Sequence, residues 1–226
     1  MRNYELIEIV AITNDAGKRL SDYPRPSVAV DTAVLTVSGD ELCILVVAHY
    51  KAPGYDWALP GTFLHEGERL ADAVLRSLRE KAHVSGRQPK QLHVFDEPRR
   101  DPRGWVLSVA HVDVVPLEEL EQALATDGVK LLPVAARVPD LPYDHPAIIA
   151  KAMERARAAY RSEPDPGGLL TGAFTLRDLR MVHQAVMGEE LQRDTFRRLM
   201  EPQLVPTGEM TDGARGRPSR LFRRPR

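Results

Sequence analysis

The sequence predicts an α/β protein in two parts: a domain of strands and helices followed by a small helix–turn–helix unit that carries a basic hairpin. Three observations carry that reading. Apolar runs of strand length alternate with helical repeats as far as about residue 161. A Pro/Gly-rich stretch, Ser162 to Gly168, then reads as a linker or boundary. Beyond it the composition turns basic: residues 165–226 hold eleven Arg and no Lys against eight Asp and Glu, although the chain's net charge is −1. A length of 226 residues suits two modest domains, 1–162 and 163–226.

The first domain opens with two strands, Ser27–Val37 and Glu41–His49, rich in Val, Leu and Ile and joined by the turn Ser38-Gly39-Asp40. Gly67–Val84 reads as a helix because Leu70, Val74, Leu78 and Ala82 recur at four-residue spacing. Gln91–Asp96 and Trp105–Val115 return to strand. Glu118–Ala125 is a short helix and Val129–Val138 a further strand. His145–Arg161 is helical, with Ile148, Ile149, Ala152, Met153 and Ala156 on one face.

The second domain starts with a capping box, Thr175-Leu176-Arg177-Asp178, with Asp in the acidic role. Leu179, Val182 and Val186 follow at helical spacing until Gly188. A second helix, Arg193–Glu201, ends at Pro202. Phe196, Leu199 and Met200 form its expected core face, which leaves Arg193, Asp194, Arg197 and Arg198 outward, with Thr195 near the helix start. Two extended segments, Leu204–Thr207 and Arg220–Phe222, flank a Gly/Arg-rich loop. Helix, turn, helix and basic hairpin is the order of a winged helix-turn-helix.

Composition excludes several classes. Cys43 is the single cysteine and lies in an apolar run, so an intrachain disulfide and a cysteine zinc site are both ruled out. Residues 1–11 lack a signal-peptide layout, and no run reaches the 18–20 apolar residues of a membrane span. A cytoplasmic protein that makes no membrane contact is expected. The last twelve residues hold six Arg and no acid, a pattern suited to nucleic acid or to a solvated tail.

Trp57-Ala58-Leu59-Pro60-Gly61, followed by Gly67-Glu68 and a helix, resembles the Nudix family. The resemblance implies a Nudix-type α/β/α sandwich and a cleft for a nucleotide diphosphate. Along that family's signature Thr62 takes the first Gly position, and Glu68, Arg76 and Glu80 are retained. Ser77 and Lys81 stand where Glu residues are expected, and His83 stands where Gly is expected. Hard divalent cations need oxygen ligands. A hydroxyl and an ammonium at those positions predict no metal site, no catalytic residue and no hydrolysis. Positions 77, 80 and 81 are three and four apart and are expected to converge. Arg76 is expected to pair with Glu68 or Glu80.

Arg99-Arg100-Asp101-Pro102-Arg103-Gly104-Trp105 resembles a segment of Nudix proteins that act on ADP-ribose and related nucleotides. Arg100 and Arg103 are candidate phosphate ligands, with a polar hairpin loop as the plain alternative. Tyr50 and Lys51, at a strand end, are candidates for contact with a base or phosphate. Trp57 either stacks on ligand or packs in the core. Thr62, Glu68 and Lys81 complete the expected effector set, with Lys81 supplying positive charge where a metal once did. His111, inside an apolar strand, reads as a satisfied core histidine.

The whole chain, degenerate Nudix domain plus winged helix, resembles the Nudix-related transcriptional regulators of the NrtR family. The resemblance is carried by Phe174-Thr175-Leu176-x-x-Leu179, Phe196-Arg197-Arg198 and the wing Gly216-Arg217-Pro218-Ser219-Arg220-Leu221-Phe222. The resemblance implies repression of NAD biosynthesis or salvage genes. It implies ADP-ribose or another NAD-derived nucleotide as effector, with no cofactor required. Arg177, Arg193, Thr195, Arg197, Arg198, Arg215, Arg217, Ser219 and Arg220 are the candidate DNA-binding residues, as base readers or phosphate contacts. Such readers usually bind palindromic double-stranded operators as homodimers. The alternatives are an active Nudix hydrolase with a nucleic-acid-binding tail, which the lost acids oppose, and an RNA-binding scaffold. The shortage of aromatic residues after residue 165 opposes the latter.

Overall fold

The computed structural model describes residues 17–50, 54–134, 137–212 and 218–225. Its sheet is built on two long strands, β1 (Ser27–Ser38) and β2 (Glu41–Ala48), which form an antiparallel hairpin across Gly39. Gly39 takes φ 63°, the left-handed backbone that a tight turn demands. Two short strands follow, β3 (Trp57–Ala58) on β2 and β4 (Gly61–Phe63) on β1. Helix α1 (Leu70–Ala82) precedes β5 (Lys90–Phe95) and β6 (Val106–Val114). β6 runs parallel to β1 and antiparallel to β5, so the sheet is mixed. A 3-10 turn and the four-residue α2 (Glu121–Leu124) lead to β7 (Val129–Pro133) on β2, and then to α3 (His145–Tyr160).

Alternation along β1 and β2 divides the apolar residues between the two faces of the sheet, as the pleat requires. Ala33, Leu35, Leu42, Ile44 and Val46 pack beneath Ile148, Ile149, Ala152 and Met153 of α3. Val30, Val34, Leu45 and Val47 pack beneath Ala73, Val74, Leu78 and Ala82 of α1. The result is an α/β/α sandwich.

The C-terminal unit comprises α4 (Leu176–Met187), α5 (Arg193–Met200), β8 (Val205–Met210) and β9 (Arg220–Arg223). The capping box forms: Thr175 Oγ1 accepts from the Asp178 N–H at 3.2 Å, and the Asp178 carboxylate accepts from the Thr175 N–H at 2.9 Å. Gly188, at φ 72°, closes α4. Phe174, Leu179, Phe196, Met200, Leu204 and Phe222 make a separate small core. Phe174 and Phe222 exchange backbone hydrogen bonds at 3.0 and 2.8 Å, which ties the entrance of α4 to β9.

Four details depart from the sequence expectation. The helix expected from Gly67 begins at Leu70, because Gly67 is left-handed and Arg69 is still extended. β7 stops at Pro133 rather than Val138, in a stretch punctuated by Pro133 and Pro139. Leu199, expected in the core, is 48% exposed, because Phe196 and Met200 alone fill the inward face of a two-turn helix. The stretch 162–168 is no loose linker. Asp165 is fully buried there and accepts from Tyr160 Oη at 2.8 Å and from the backbone N–H groups of Leu169 and Leu170 at 2.8 and 2.9 Å. Val186 of α4 joins the core beneath α3, so apolar packing runs on past the expected boundary.

Candidate effector cleft and nucleic-acid interface

A cleft of about 520 Å³ opens where the ends of β1, β2 and β4 meet the loop before β6 and the approach to α3. At its base Asp31 of β1 is buried and accepts from Ser108 Oγ at 2.5 Å. His145 Nε2 lies 3.4 Å and Arg100 Nη2 3.6 Å from its carboxylate. The Leu59 N–H donates to His145 Nδ1 at 3.1 Å, so the ring proton sits on Nε2, facing Asp31. Burial pushes the Asp31 carboxyl up, yet His145, Ser108 and Arg100 together hold it below the usual carboxylate range. Gly61 is required by this arrangement: a Cβ there would collide with Asp31 Oδ1 and come within 3.0 Å of Val30 O.

Arg100 is buried and makes a two-pronged pair with Asp144, through Nε at 2.7 Å and through Nη2. Burial pushes its guanidinium down, but Asp144, Asp31 and Asp101 push it further up, so it stays charged. Asp101, also buried, accepts from Arg103 Nε at 2.9 Å, Nη2 at 2.6 Å and backbone N–H at 2.9 Å. Arg103 holds that carboxyl below its ordinary range despite burial.

Of the eight effector candidates, Tyr50, Thr62, Lys81, Arg100 and Arg103 line the cleft. Lys51 lies outside the described residues. Trp57 stands apart from the lining, packed against the core with Lys130 Nζ 3.9 Å above its ring. Glu68 also stands outside. Its carboxylate accepts from Arg76 Nε at 2.8 Å and Nη2 at 2.9 Å and from the His65 N–H at 2.9 Å, and Arg76 holds it down to about 2. Arg76 is thereby the structural residue expected. Ser77, Glu80 and Lys81 do not converge: Ser77 is buried under the helix, Glu80 is exposed beside Arg79, and Lys81 alone reaches the cleft, donating to Gly61 O. Among the described residues no group of three His, Cys, Asp or Glu is arranged to hold a metal ion. His111 is buried, with Nδ1 donating to Val109 O at 2.9 Å, and burial pushes its pKa down.

Asp31, His49, Phe63, Tyr143 and His145 also line the cleft, and sequence reasoning missed them. Asp31 had a signal, a carboxylate inside an apolar strand. Tyr143 and His145 had none, because only the fold brings them to the cleft that Asp31 lines.

On the second domain Arg177, Arg193, Thr195, Arg197, Arg198, Ser219 and Arg220 are exposed, while Arg215 and Arg217 lie outside the described residues. The N-terminus of α5 is capped by Gln192, whose Oε1 accepts from the Thr195 N–H at 2.6 Å. Arg197 Nε pairs with Glu201 at 2.7 Å, and Arg198 Nε reaches Asp194 O at 3.4 Å. Arg224 turns inward to Asp165, at 3.6 Å from its carboxylate.

Residues 25–152 match the NUDIX domain family, and residues 166–224 match the NrtR DNA-binding winged helix domain. A relative from Acinetobacter baylyi, an ADPR responsive transcriptional repressor NtrR, is 30% identical over 212 residues, covering 90% of this chain and 84% of the relative. The chain belongs to the NrtR family. NrtR of Shewanella oneidensis, solved in complex with a 27mer DNA, superposes with TM-score 0.75 at 32% identity, over 88% of this chain and 93% of that one. The NUDIX domain of the same Shewanella NrtR, solved with ADP ribose, superposes with TM-score 0.52 at 30% identity, over 62% of this chain and 94% of that one. The fold is therefore a Nudix mixed-sheet domain followed by the NrtR winged helix.

Proposed function

We propose that this NrtR-family chain is an ADP-ribose-controlled transcriptional repressor of NAD biosynthesis or salvage genes. It works in the cytoplasm as a homodimer on a palindromic double-stranded operator and requires no cofactor. Residues 1–162 sense the effector and residues 163–226 bind DNA. The observation that carries this is the pairing, in one chain, of a nucleotide-sized cleft, where no metal-holding group of His, Cys, Asp or Glu is found among the described residues, with an exposed basic helix, α5. The DNA-bound Shewanella NrtR and the ADP-ribose-bound Shewanella NUDIX domain support both halves. Arg193, Thr195, Arg197 and Arg198 enter the major groove. Arg177, Arg215, Arg217, Ser219 and Arg220 hold backbone or minor groove.

The NUDIX domain of this chain does not hydrolyse. Glu68 is consumed by Arg76, Ser77 is buried, and Lys81 brings an ammonium to the cleft. Lys81, Thr62 and Arg103 then serve a pyrophosphate directly, with Arg100 held beneath them by Asp144 and with Tyr50 and Lys51 at the rim. Titrating labelled upstream DNA of NAD-metabolism genes with the full chain, with and without ADP-ribose in EDTA, tests the reading. Specific binding is expected, with ADP-ribose shifting affinity about 5–150-fold, the usual range of coupling between two sites. ADP-ribose turnover near 1 per second with magnesium, an ordinary enzyme rate, or operator binding indifferent to ADP-ribose, overturns it.

A further inference from the structure

At the cleft a planar group of the protein itself, the Arg103 guanidinium, lies over two aromatic rings. The guanidinium carbon of Arg103 lies 5.2 Å from the ring centre of Phe63 and 5.1 Å from that of Tyr143. A guanidinium is flat, delocalised and weakly hydrated, which lets it stack on aromatic faces. A nucleobase is flat and stacks on the same kind of surface.

The three side chains come from three parts of the fold: the end of β4, the loop before β6 and the approach to α3. Tyr143 holds φ 58°, a left-handed backbone that a bulky residue seldom adopts and that persists only where the surroundings impose it. Phe63 is 39% exposed and the Arg103 side chain 49% exposed, so the slot opens to solvent. The Asp101 carboxylate accepts from the Arg103 backbone N–H as well as from its guanidinium. It therefore keeps a partner when the guanidinium swings away. Thr62 adjoins Phe63 in β4, and Lys81 bonds to Gly61 one residue earlier, so cationic and aromatic walls are contiguous.

The geometry points to this slot as the nucleobase subsite of the cleft, with Arg103 as its resident occupant; the inference rests on the effector reading above. A nucleotide's base takes the place of the guanidinium against Phe63 and Tyr143. The displaced Arg103 finds a new partner in the ligand's pyrophosphate, which a guanidinium fork fits well. A nucleoside must evict Arg103 without offering it an anion. A sugar phosphate finds Arg103 still held by Asp101 and the rings. A ligand with both parts satisfies both demands, so the slot selects nucleotides over their fragments.

Calorimetry on the full chain with ADP-ribose, adenosine and ribose 5-phosphate tests this. In Arg103→Ala the slot stands open, so adenosine should bind about tenfold more tightly and the preference for ADP-ribose over adenosine should fall at least tenfold. In Phe63→Leu, at a partly exposed site whose fold is checked by melting temperature, ADP-ribose should weaken about tenfold while ribose 5-phosphate is unchanged. Adenosine binding that is unchanged or weaker in Arg103→Ala, in a chain that still takes ADP-ribose, overturns the slot and leaves the effector reading standing. Phe63→Leu without effect on ADP-ribose does the same. A wild-type chain that takes no ADP-ribose overturns the effector reading, and the slot with it.

Discussion

At the scale of single residues, the signature helix illustrates how a position can keep its place and change its work. Ser77 stands where a metal-binding Glu is expected, yet it is 1% exposed and its hydroxyl makes no hydrogen bond among the described residues. A buried hydroxyl without a partner costs its desolvation. Ser77→Ala removes that cost and leaves almost no cavity, so stability should stay level or rise by up to about 1 kcal/mol. A urea midpoint that falls would mean the hydroxyl has an internal partner. Ser77 and Lys81 were singled out by the resemblance to the Nudix signature, which carried no geometry. Spacing placed 77, 80 and 81 together, whereas packing against β1 and β2 turned Ser77 inward. Asp31 was equally open to detection, since a carboxylate within Val28-Ala29-Val30-Asp31 needs a reason. His145 and Tyr143 lie more than a hundred residues away, and no local pattern announces them.

At the scale of elements, α1 ends on a residue that strains it. His83 follows the last helical residue at φ 55°, ψ 29°, and donates its N–H to Leu78 O. That left-handed cap is the natural place for glycine, which bears no Cβ penalty there. His83 is exposed and buries nothing in exchange. His83→Gly should therefore stabilise the chain by about 1 kcal/mol, and His83→Ala should give no such gain. Denaturant midpoints at constant slope check both; equal gains in the two variants would remove the backbone explanation. The long strands and all of the helices longer than one turn were readable because runs and periods are local. β3 and β4 were not, because two and three residues carry no period, and they exist only through pairing with β2 and β1. The Pro/Gly punctuation of 162–168 suggested a linker for a related reason: Asp165 is organised by Tyr160, His183 and Arg224, two of them far along the chain.

At the scale of the whole molecule, α3 spans both halves. Its first residue, His145, lines the cleft, and its last, Tyr160, packs edge-on to the His183 ring of α4 at 4.9 Å. His183 in turn meets Phe196 of α5 at 5.0 Å. His183 is fully buried, and its Nε2 accepts from the Asp165 N–H at 3.2 Å, which puts the ring proton on Nδ1. Protonation would set a second N–H against that donor inside an apolar setting. Burial accordingly pushes the imidazole down from 6.5 to about 4. A depressed folded pKa means that the unfolded chain binds the proton first, so this stability is present above pH 6.5 and is lost as pH falls towards 4. Asp165 acts in the opposite sense, because burial raises its carboxyl, but it has partners in Tyr160, Arg224 and two backbone N–H groups. His183 by itself contributes a loss of about 2 kcal/mol between pH 7 and pH 5, which the raised Asp165 carboxyl offsets in part. His183→Gln, which cannot titrate, should flatten that slope even if it lowers stability at pH 7. Urea unfolding of both chains at the two pH values decides the matter: parallel losses in wild type and variant would place the acid sensitivity elsewhere than the joint between α3, α4 and α5.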